Sequence, residues 1–321
     1  MSAATNKEFV KILRLGHSGD GQTGDGRFVP FTLPGDQVRF RGDGVVEEIV
    51  PAGPGRASPE CKHFTRCGGC ALQHLKRDDY LQFKRELVGL ALAQRGFESV
   101  LIDDIRAVHP GTRRRAVLKA RRKAEAIQLG FFERESRVLV NVELCPLLTP
   151  RLTALLPKMR KALLDILRDN EDAELHLTDA PEGVDMSLRL KRADSIGFRT
   201  GLAAFADRLD LARLSWNGEL AAQSRTPKLH VGSFSVALAP ESFLQPTEDG
   251  ERMLQALVRE GVANARRVVD LFAGLGTFAL TLAGSRTVHA VESNEAMVSA
   301  LRASGAPQLS VEVRDLFRRP L

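Results

Sequence analysis

Val268-Val269-Asp270-Leu271-Phe272-Ala273-Gly274-Leu275-Gly276 is the stretch whose reading decides the fold. Its first five residues are apolar except for Asp270 and do not alternate, as expected of a strand buried on both faces, and the glycines after them mark a tight loop. A helix is expected over 277–283, a second strand over 287–292 and a third over 309–313. Strand, glycine loop, helix and strand make a βαβ unit in which the backbone can approach a ligand closely. Gly274-x-Gly276-x-x-Ala279 also fits a dinucleotide fingerprint, so the motif alone leaves the ligand open. Glu292, closing the second strand, is placed to accept hydrogen bonds from ribose hydroxyls with either ligand.

A second stretch, Cys61-Lys-His-Phe-Thr-Arg-Cys67-Gly-Gly-Cys70, holds three of the four cysteines, and Cys145 precedes Pro146 far downstream. A chain that uses cysteine so sparingly and then clusters it points to a metal or a redox reaction. Thiolates on a loop that bends at Gly68 and Gly69 suit zinc or an iron–sulfur cluster. Structural zinc usually takes two close cysteine pairs, and only Cys67 and Cys70 form one here. The spacing therefore favours a [4Fe–4S] cluster on Cys61, Cys67, Cys70 and Cys145, with a closed shell and a structural or binding role. Buried or disulfide-linked cysteines are the plainer alternative.

The 321 residues predict two or three domains, and 43% hydrophobic residues suffice for real cores. No segment approaches the roughly 18 apolar residues that span a bilayer. Met-Ser-Ala-Ala-Thr-Asn-Lys-Glu at the start lacks an apolar signal core, so a cytoplasmic protein is expected. Net charge is +6, which suits a polyanionic partner. Arg113, Arg114, Arg115, Lys119, Arg121, Arg122 and Lys123 crowd one stretch, read as nucleic-acid contact ahead of a merely solvated strand face. No membrane and no obligate protein partner are indicated.

Along the chain, short strands are expected over 9–13, 28–32, 37–40 and 45–50, as in a small barrel, with Gly16 to Gly26 a glycine-rich loop and Pro51 to Pro59 a linker. A helix follows over 78–95, with Tyr80, Phe83, Leu87, Leu90 and Ala91 on one stripe. Period-two strands over 115–121, 126–132 and 138–142 imply an antiparallel sheet. Leu152, Leu155, Leu156, Met159, Leu163 and Ile166 mark another amphipathic helix, and strands are expected over 174–178, 184–190 and 229–238. Trp216 is read as a packing residue.

The cysteine pattern with Ala71-Leu-Gln73-His74, Arg113-Arg-Arg115, Gly130-Phe131, Cys145-Pro146, Phe243-Leu-Gln245 and Asp270-Leu-Phe-Ala-Gly-Leu-Gly276 resembles the RNA (uracil-5-)-methyltransferase family. More narrowly, it resembles the iron–sulfur branch that modifies 23S rRNA. The resemblance implies a multidomain fold of α/β and all-β parts. These are a TRAM-like OB barrel over 1–57, a central antiparallel iron–sulfur and RNA-binding domain over 58–240, and part of a class I, Rossmann-like domain over 241–321. The helix at 78–95 is expected to pack on that last domain. S-adenosylmethionine is the implied cofactor, contacted by Gln245, Asp270, Phe272, Gly274, Gly276, Thr277, Glu292 and Asp315. Pro246-Thr247 departs from the Val-Asn commoner in the family. RNA is implied to meet Arg113, Arg114, Arg115, Lys119 and Arg121.

Methylating C5 of a pyrimidine requires a thiolate to add at C6 and a base to remove the C5 proton. The family carries these on Asp-Pro-Pro-Arg, Ser-Cys-Asn-Pro and His-Val-Glu segments, which do not occur here, and four cluster ligands leave no cysteine over. A class I sheet also has more strands than the three read from residue 268 onward. The expectation is a truncated chain, inactive alone, whose intact form methylates uridine C5. A non-catalytic iron–sulfur RNA-binding protein is the alternative, and an NAD-linked redox protein a third reading.

Overall fold

The computed structural model describes residues 8–320, so most of the stretch from Met1 to Glu8, read above for a signal core, lies outside the described residues. The chain forms two compact units, residues 1–107 with 132–140, and residues 108–131 with 141–321. Neither coincides with one of the three expected domains.

In the first unit, β1 (Val10–Leu15), β2 (Gly21–Thr23), β3 (Phe28–Val29), β4 (Gln37–Phe40) and β5 (Val46–Val50) form an antiparallel sheet in the order β3-β2-β1-β4-β5. Among the described residues no pairing of β3 with β5 closes it into a barrel. Strand β2 arises inside the stretch read as a loop, because Gly21 has no Cβ to collide with Thr32 and Ile12. Ile12, Val29 and Val38 form the small core.

The stretch read as a linker is tied down. Asp36, fully buried, accepts hydrogen bonds from the backbone N–H groups of Leu33 at 2.7 Å, Ala52 at 3.0 Å and Gly53 at 3.1 Å, and pairs with Arg56. Burial pushes its carboxyl up, but these donors together hold it below the usual carboxylate range. Helix α1 (Arg77–Ala93) buries Phe83 and leaves Val88 and Leu90 exposed, so only part of the expected apolar stripe is covered.

The second unit holds most of a sheet of β6 (Arg115–Lys123), β7 (Ala126–Phe132), β8 (Leu139–Asn141), β9 (Asp172–Ala180), β10 (Gly183–Arg189), β11 (Arg213–Trp216) and β12 (Glu219–Gln223), in the order β12-β11-β10-β9-β6-β7-β8, with Phe132, Leu139 and Val140 counted in the first. Helices α2 (Pro150–Leu163) and α3 (Ile196–Arg208) supply Leu152, Leu156, Met159, Leu202 and Phe205 to a core shared with Leu118, Leu129, Leu175, Met186 and Leu214 from the strands. Thr149 caps α2 and Pro150 begins it, the arrangement that starts helices well. Trp216 packs edge-on against Phe198 at 4.9 Å, and its indole N–H donates to the Leu190 carbonyl at 3.0 Å.

The expected strand over 229–238 is a hairpin, β13 (Lys228–Val231) and β14 (Phe234–Ala237), turning at Gly232 with φ +58°. Helix α4 (Glu248–Gly261) follows, then β15 (Arg267–Leu271), α5 (Ala279–Ala283), β16 (Thr287–Glu292), α6 (Glu295–Arg302) and β17 (Leu309–Val313). The three strands are parallel in the order β15-β16-β17, as the βαβ reading requires. Against the expected burial on both faces, Val269 and Leu271, two apart on one face of β15, are exposed, as is Phe272 after it, and β15 has one paired neighbour among the described residues.

Within the central sheet, Arg213 on β11 stands directly opposite Asp185 on β10. Both are buried, their two hydrogen bonds measure 2.8 and 2.6 Å, and a third runs from Arg213 Nη1 to the Leu238 carbonyl at 2.5 Å. Arg213→Met strands the buried carboxylate and should cost roughly 3–5 kcal/mol. Chemical denaturation should find the Arg213→Met, Asp185→Asn double variant more stable than the single one.

Candidate functional site

The loop after β15 is held open by its own backbone. Phe272 has φ +60°, Gly274 +57° and Gly276 +81°, three left-handed residues within five positions. Such strain in a non-glycine residue clusters at ligand sites. A Cβ on Gly276 would stand 2.5 Å from Leu301 Cδ1, so only glycine lets α6 approach the loop. The exposed Phe272 ring lies 5.5 Å from that of Phe317.

Two carboxylates bracket this loop and are treated differently. Asp270, on β15, accepts one backbone hydrogen bond, from Ala279 N–H at 2.9 Å. Burial therefore dominates and pushes its carboxyl up to about 6. Glu292, ending β16, accepts from the N–H groups of Gly274 at 2.9 Å, Ser293 at 2.7 Å and Asn294 at 2.9 Å, and from Ser293 Oγ at 3.2 Å. Burial raises it too, but these donors win and hold it low. A carboxylate has about four lone-pair sites, so Glu292 serves first to pin the glycine loop and keeps little capacity for a ligand hydroxyl.

Thr277 contributes its carbonyl, which accepts from Gln255 Nε2 on α4 at 3.3 Å and from Thr281 Oγ1 at 2.8 Å. Asp315 follows β17 and caps the backbone N–H of Phe317 at 3.0 Å. Gln245 lies in an irregular segment before α4, its carbonyl accepting from Arg114 Nε at 3.0 Å.

The basic run is largely committed to protein partners. Arg114 is buried and bonds Glu251 Oε2 at 2.8 Å. Burial pushes the Glu251 carboxyl above its ordinary value despite that arginine. Arg115 Nη1 donates to the Leu244 carbonyl at 2.7 Å, while Arg122 Nη1 caps the end of α2 through the carbonyls of Leu164 at 2.6 Å and Leu167 at 2.8 Å. On the outer face, Lys119 pairs with Glu174 and Arg121 with Asp172, each directly across from its partner in the β6–β9 register. His176, Arg189 and Glu241 extend this mixed-sign network. Arg113 remains exposed, with its Nε donating to the Arg115 carbonyl at 3.1 Å. The expected basic surface is thus a balanced one, because acids on β9 stand opposite the bases of β6.

Cys61, Cys67 and Cys70 lie in the first unit and Cys145 in the second, all partly buried and none in a disulfide. The Gly68 N–H donates to the Phe132 carbonyl at 2.9 Å, and a Cβ on Gly68 would meet that same oxygen at 2.9 Å, so this glycine is required. Four thiols have the right donor chemistry for a metal. As arranged, however, no three His, Cys, Asp or Glu side chains among the described residues gather into a metal-binding group.

The comparisons with known proteins bear on this site. No family model matches the chain. A protein of Brucella suis described as an uncharacterised RNA methyltransferase is 38% identical, over 97% of this chain and 78% of its own length. A Caulobacter vibrioides protein of the same description is 39% identical, over 97% of this chain and 80% of its own. The 23S rRNA (uracil(1939)-C(5))-methyltransferase RlmD of Halomonas elongata is 32% identical over 94% of this chain and 69% of its own. The chain belongs to this RNA methyltransferase family.

The fold agrees with the family. The crystal structure of Pyrococcus abyssi tRNA (uracil-54, C5)-methyltransferase, in complex with S-adenosyl-L-homocysteine, aligns with TM-score 0.72 over 95% of this chain and 79% of that one. At 20% identity it bears on the fold alone. Sequence reasoning missed that Arg114, just before β6, pairs with Glu251 on α4, and that Gln255 on α4 reaches the Thr277 carbonyl of the glycine loop. The signal for α4 was present in Thr247 followed by Glu248, Asp249 and Glu251, a capped and acidic first turn.

The raised Asp270 pKa has a definite sign. The folded carboxyl titrates near 6 against 3.8 for the free group, so the folded state holds the proton more tightly. Stability is highest below the lower value, falls as pH rises through that window, and stays reduced above the upper one. Asp270→Asn keeps an acceptor for Ala279 N–H without the charge. At pH 8 it should raise stability by about 2–3 kcal/mol, and at pH 3 it should match the wild type. Denaturant titrations at the two pH values check this.

Proposed function

We propose that the chain serves S-adenosylmethionine-dependent methylation of uridine C5 in RNA, with 23S rRNA as the substrate class. The observation that carries this is the strained glycine loop between Asp270 and Glu292, in a chain related to an enzyme named for a uracil C5 of 23S rRNA. The cofactor supplies an electrophilic methyl group. Asp270 retains acceptor capacity in a half-buried site, which favours a ligand bearing N–H donors or positive charge. Glu292 fixes the loop beside it, Gly274 and Gly276 allow close approach, and Phe272, Thr277, Gln245 and Asp315 complete the contacts that the family resemblance assigns.

RNA contact is proposed at Arg113, the one arginine of the run with an exposed side chain, and at Lys119 and Arg121 once RNA phosphates compete with their protein partners. The TRAM-like reading of residues 1–57 is supported by the five-stranded antiparallel order. A C5 target needs access to the face of the ring, so the uridine would be flipped out of its stack. Reduced thiols and an RNA substrate suit the cytoplasm.

A [4Fe–4S] cluster on Cys61, Cys67, Cys70 and Cys145 rests on the cysteine spacing. If all four are ligands, no thiol remains to add at C6, and these 321 residues bind cofactor and RNA without turnover. That same cysteine count favours the second reading, a non-catalytic iron–sulfur RNA-binding protein.

Calorimetry should find that the purified chain binds S-adenosyl-L-homocysteine and that Asp270→Ala weakens binding. Anaerobic preparations should contain about four irons per chain and absorb at ~400 nm, with both lost in Cys145→Ser. Methyl transfer to a uridine-containing 23S rRNA fragment should be absent. Absence of cofactor binding sinks the methyltransferase reading, zinc or no metal sinks the cluster, and methyl incorporation sinks the claim that no thiol is spare.

A further inference from the structure

The segment 239–246 has neither helix nor strand; Leu244 anchors it in the core, while the neighbouring Phe243 ring is 64% exposed. Beyond that anchor, its backbone is fixed by what satisfies its carbonyls. Three successive carbonyls are taken by two neighbouring residues at the start of β6. Arg115 Nη1 donates to Leu244 at 2.7 Å, Arg114 Nε to Gln245 at 3.0 Å, and the Arg114 backbone N–H to Pro246 at 2.8 Å. The Arg115 guanidinium also lies over the Phe243 ring, 4.9 Å from its centroid.

Arg114 is in turn oriented by Glu251, one turn into α4, at 2.8 Å. Burial of both side chains gives this charge-assisted bond its strength and fixes the guanidinium plane. Lysine could keep the charge but not the fork that serves Gln245 and Glu251 at once. The Gln245 side chain therefore leaves a backbone clamped at its own carbonyl and at those on either side.

We infer that Arg114 and Arg115 are positioning residues for the cofactor site, holding Gln245 in place through its main chain rather than contacting RNA through their charge. The inference rests on the S-adenosylmethionine reading and on the resemblance that gives Gln245 its role. It explains why a basic dipeptide within a run that looks made for nucleic acid is turned inward.

The test is a double-variant cycle on the full chain, read by calorimetric binding of S-adenosyl-L-homocysteine, with thermal melting alongside. Arg114→Lys keeps Glu251 paired and should weaken binding about tenfold, the loss of one well-placed charged hydrogen bond, at a melting temperature close to wild type. In a Gln245→Ala background the same change should do nothing further, because its effect passes through that side chain. Equal binding by wild type and Arg114→Lys overturns the inference, as does an equal loss with and without Gln245. If Arg114→Lys does not fold, Arg115→Met, which leaves the Glu251 pair intact, takes its place in the cycle. Arg208→Met, removing an exposed pair with Asp165 elsewhere, should change neither readout. A wild-type chain that binds no S-adenosyl-L-homocysteine overturns the cofactor reading itself.

Discussion

The buried guanidinium of Arg114 ties the central sheet of the second unit to α4 and the segment before it. The residue directly precedes β6, an interior strand of the central sheet, yet its partners are Glu251 on α4 and the Gln245 carbonyl before that helix. Burying two opposite charges carries a large desolvation cost, offset only when each finds a well-aligned partner. That condition couples the position of α4 to the position of β6. Because Gln255 of the same helix reaches the Thr277 carbonyl, the constraint extends to the glycine loop. Arg213 and Asp185 repeat the device on β11 and β10, where the third bond goes to the Leu238 carbonyl at the end of the β13–β14 hairpin.

The loop shows how one fold gives two carboxylates opposite properties. Asp270 and Glu292 end adjacent parallel strands, and both lose water on folding. Glu292 recovers that loss from four donors of the loop and the following turn, so its charge belongs to the architecture. Asp270 recovers it from one, so its charge waits on a ligand. A site that is costly to ionise when empty is stabilised by whatever fills it, a common trade between stability and binding.

Charge runs are poor guides to surfaces when their elements pair with unseen partners. Seven basic residues between 113 and 123 suggest a phosphate track, yet the sheet places Glu174 and Asp172 directly across from Lys119 and Arg121. Two others, Arg114 and Arg122, turn inward to satisfy a buried carboxylate and the carbonyls of a helix end. Any RNA bound there must compete with existing ion pairs, which makes geometry rather than net charge the source of recognition.

The sequence by itself determined the local periods and their punctuation. The βαβ unit, the Arg115–Lys123 strand and the helix through Leu152, Leu156 and Met159 were legible because apolar spacing and glycine positions depend on neighbours along the chain. Family membership was legible for the same reason, in short ordered motifs. Helix α3 carries Gly197 and Gly201 and was not legible, nor was β2, which exists because Gly21 makes room for Thr32 and Ile12. What only the tertiary structure decided was which charges face inward, that Glu292 pins the loop while Asp270 stays under-satisfied, and that residues 51–56 form a strap on Asp36 rather than a free linker. These depend on groups brought together from distant positions, and a side chain's desolvation and partners do not exist until the chain has folded around it.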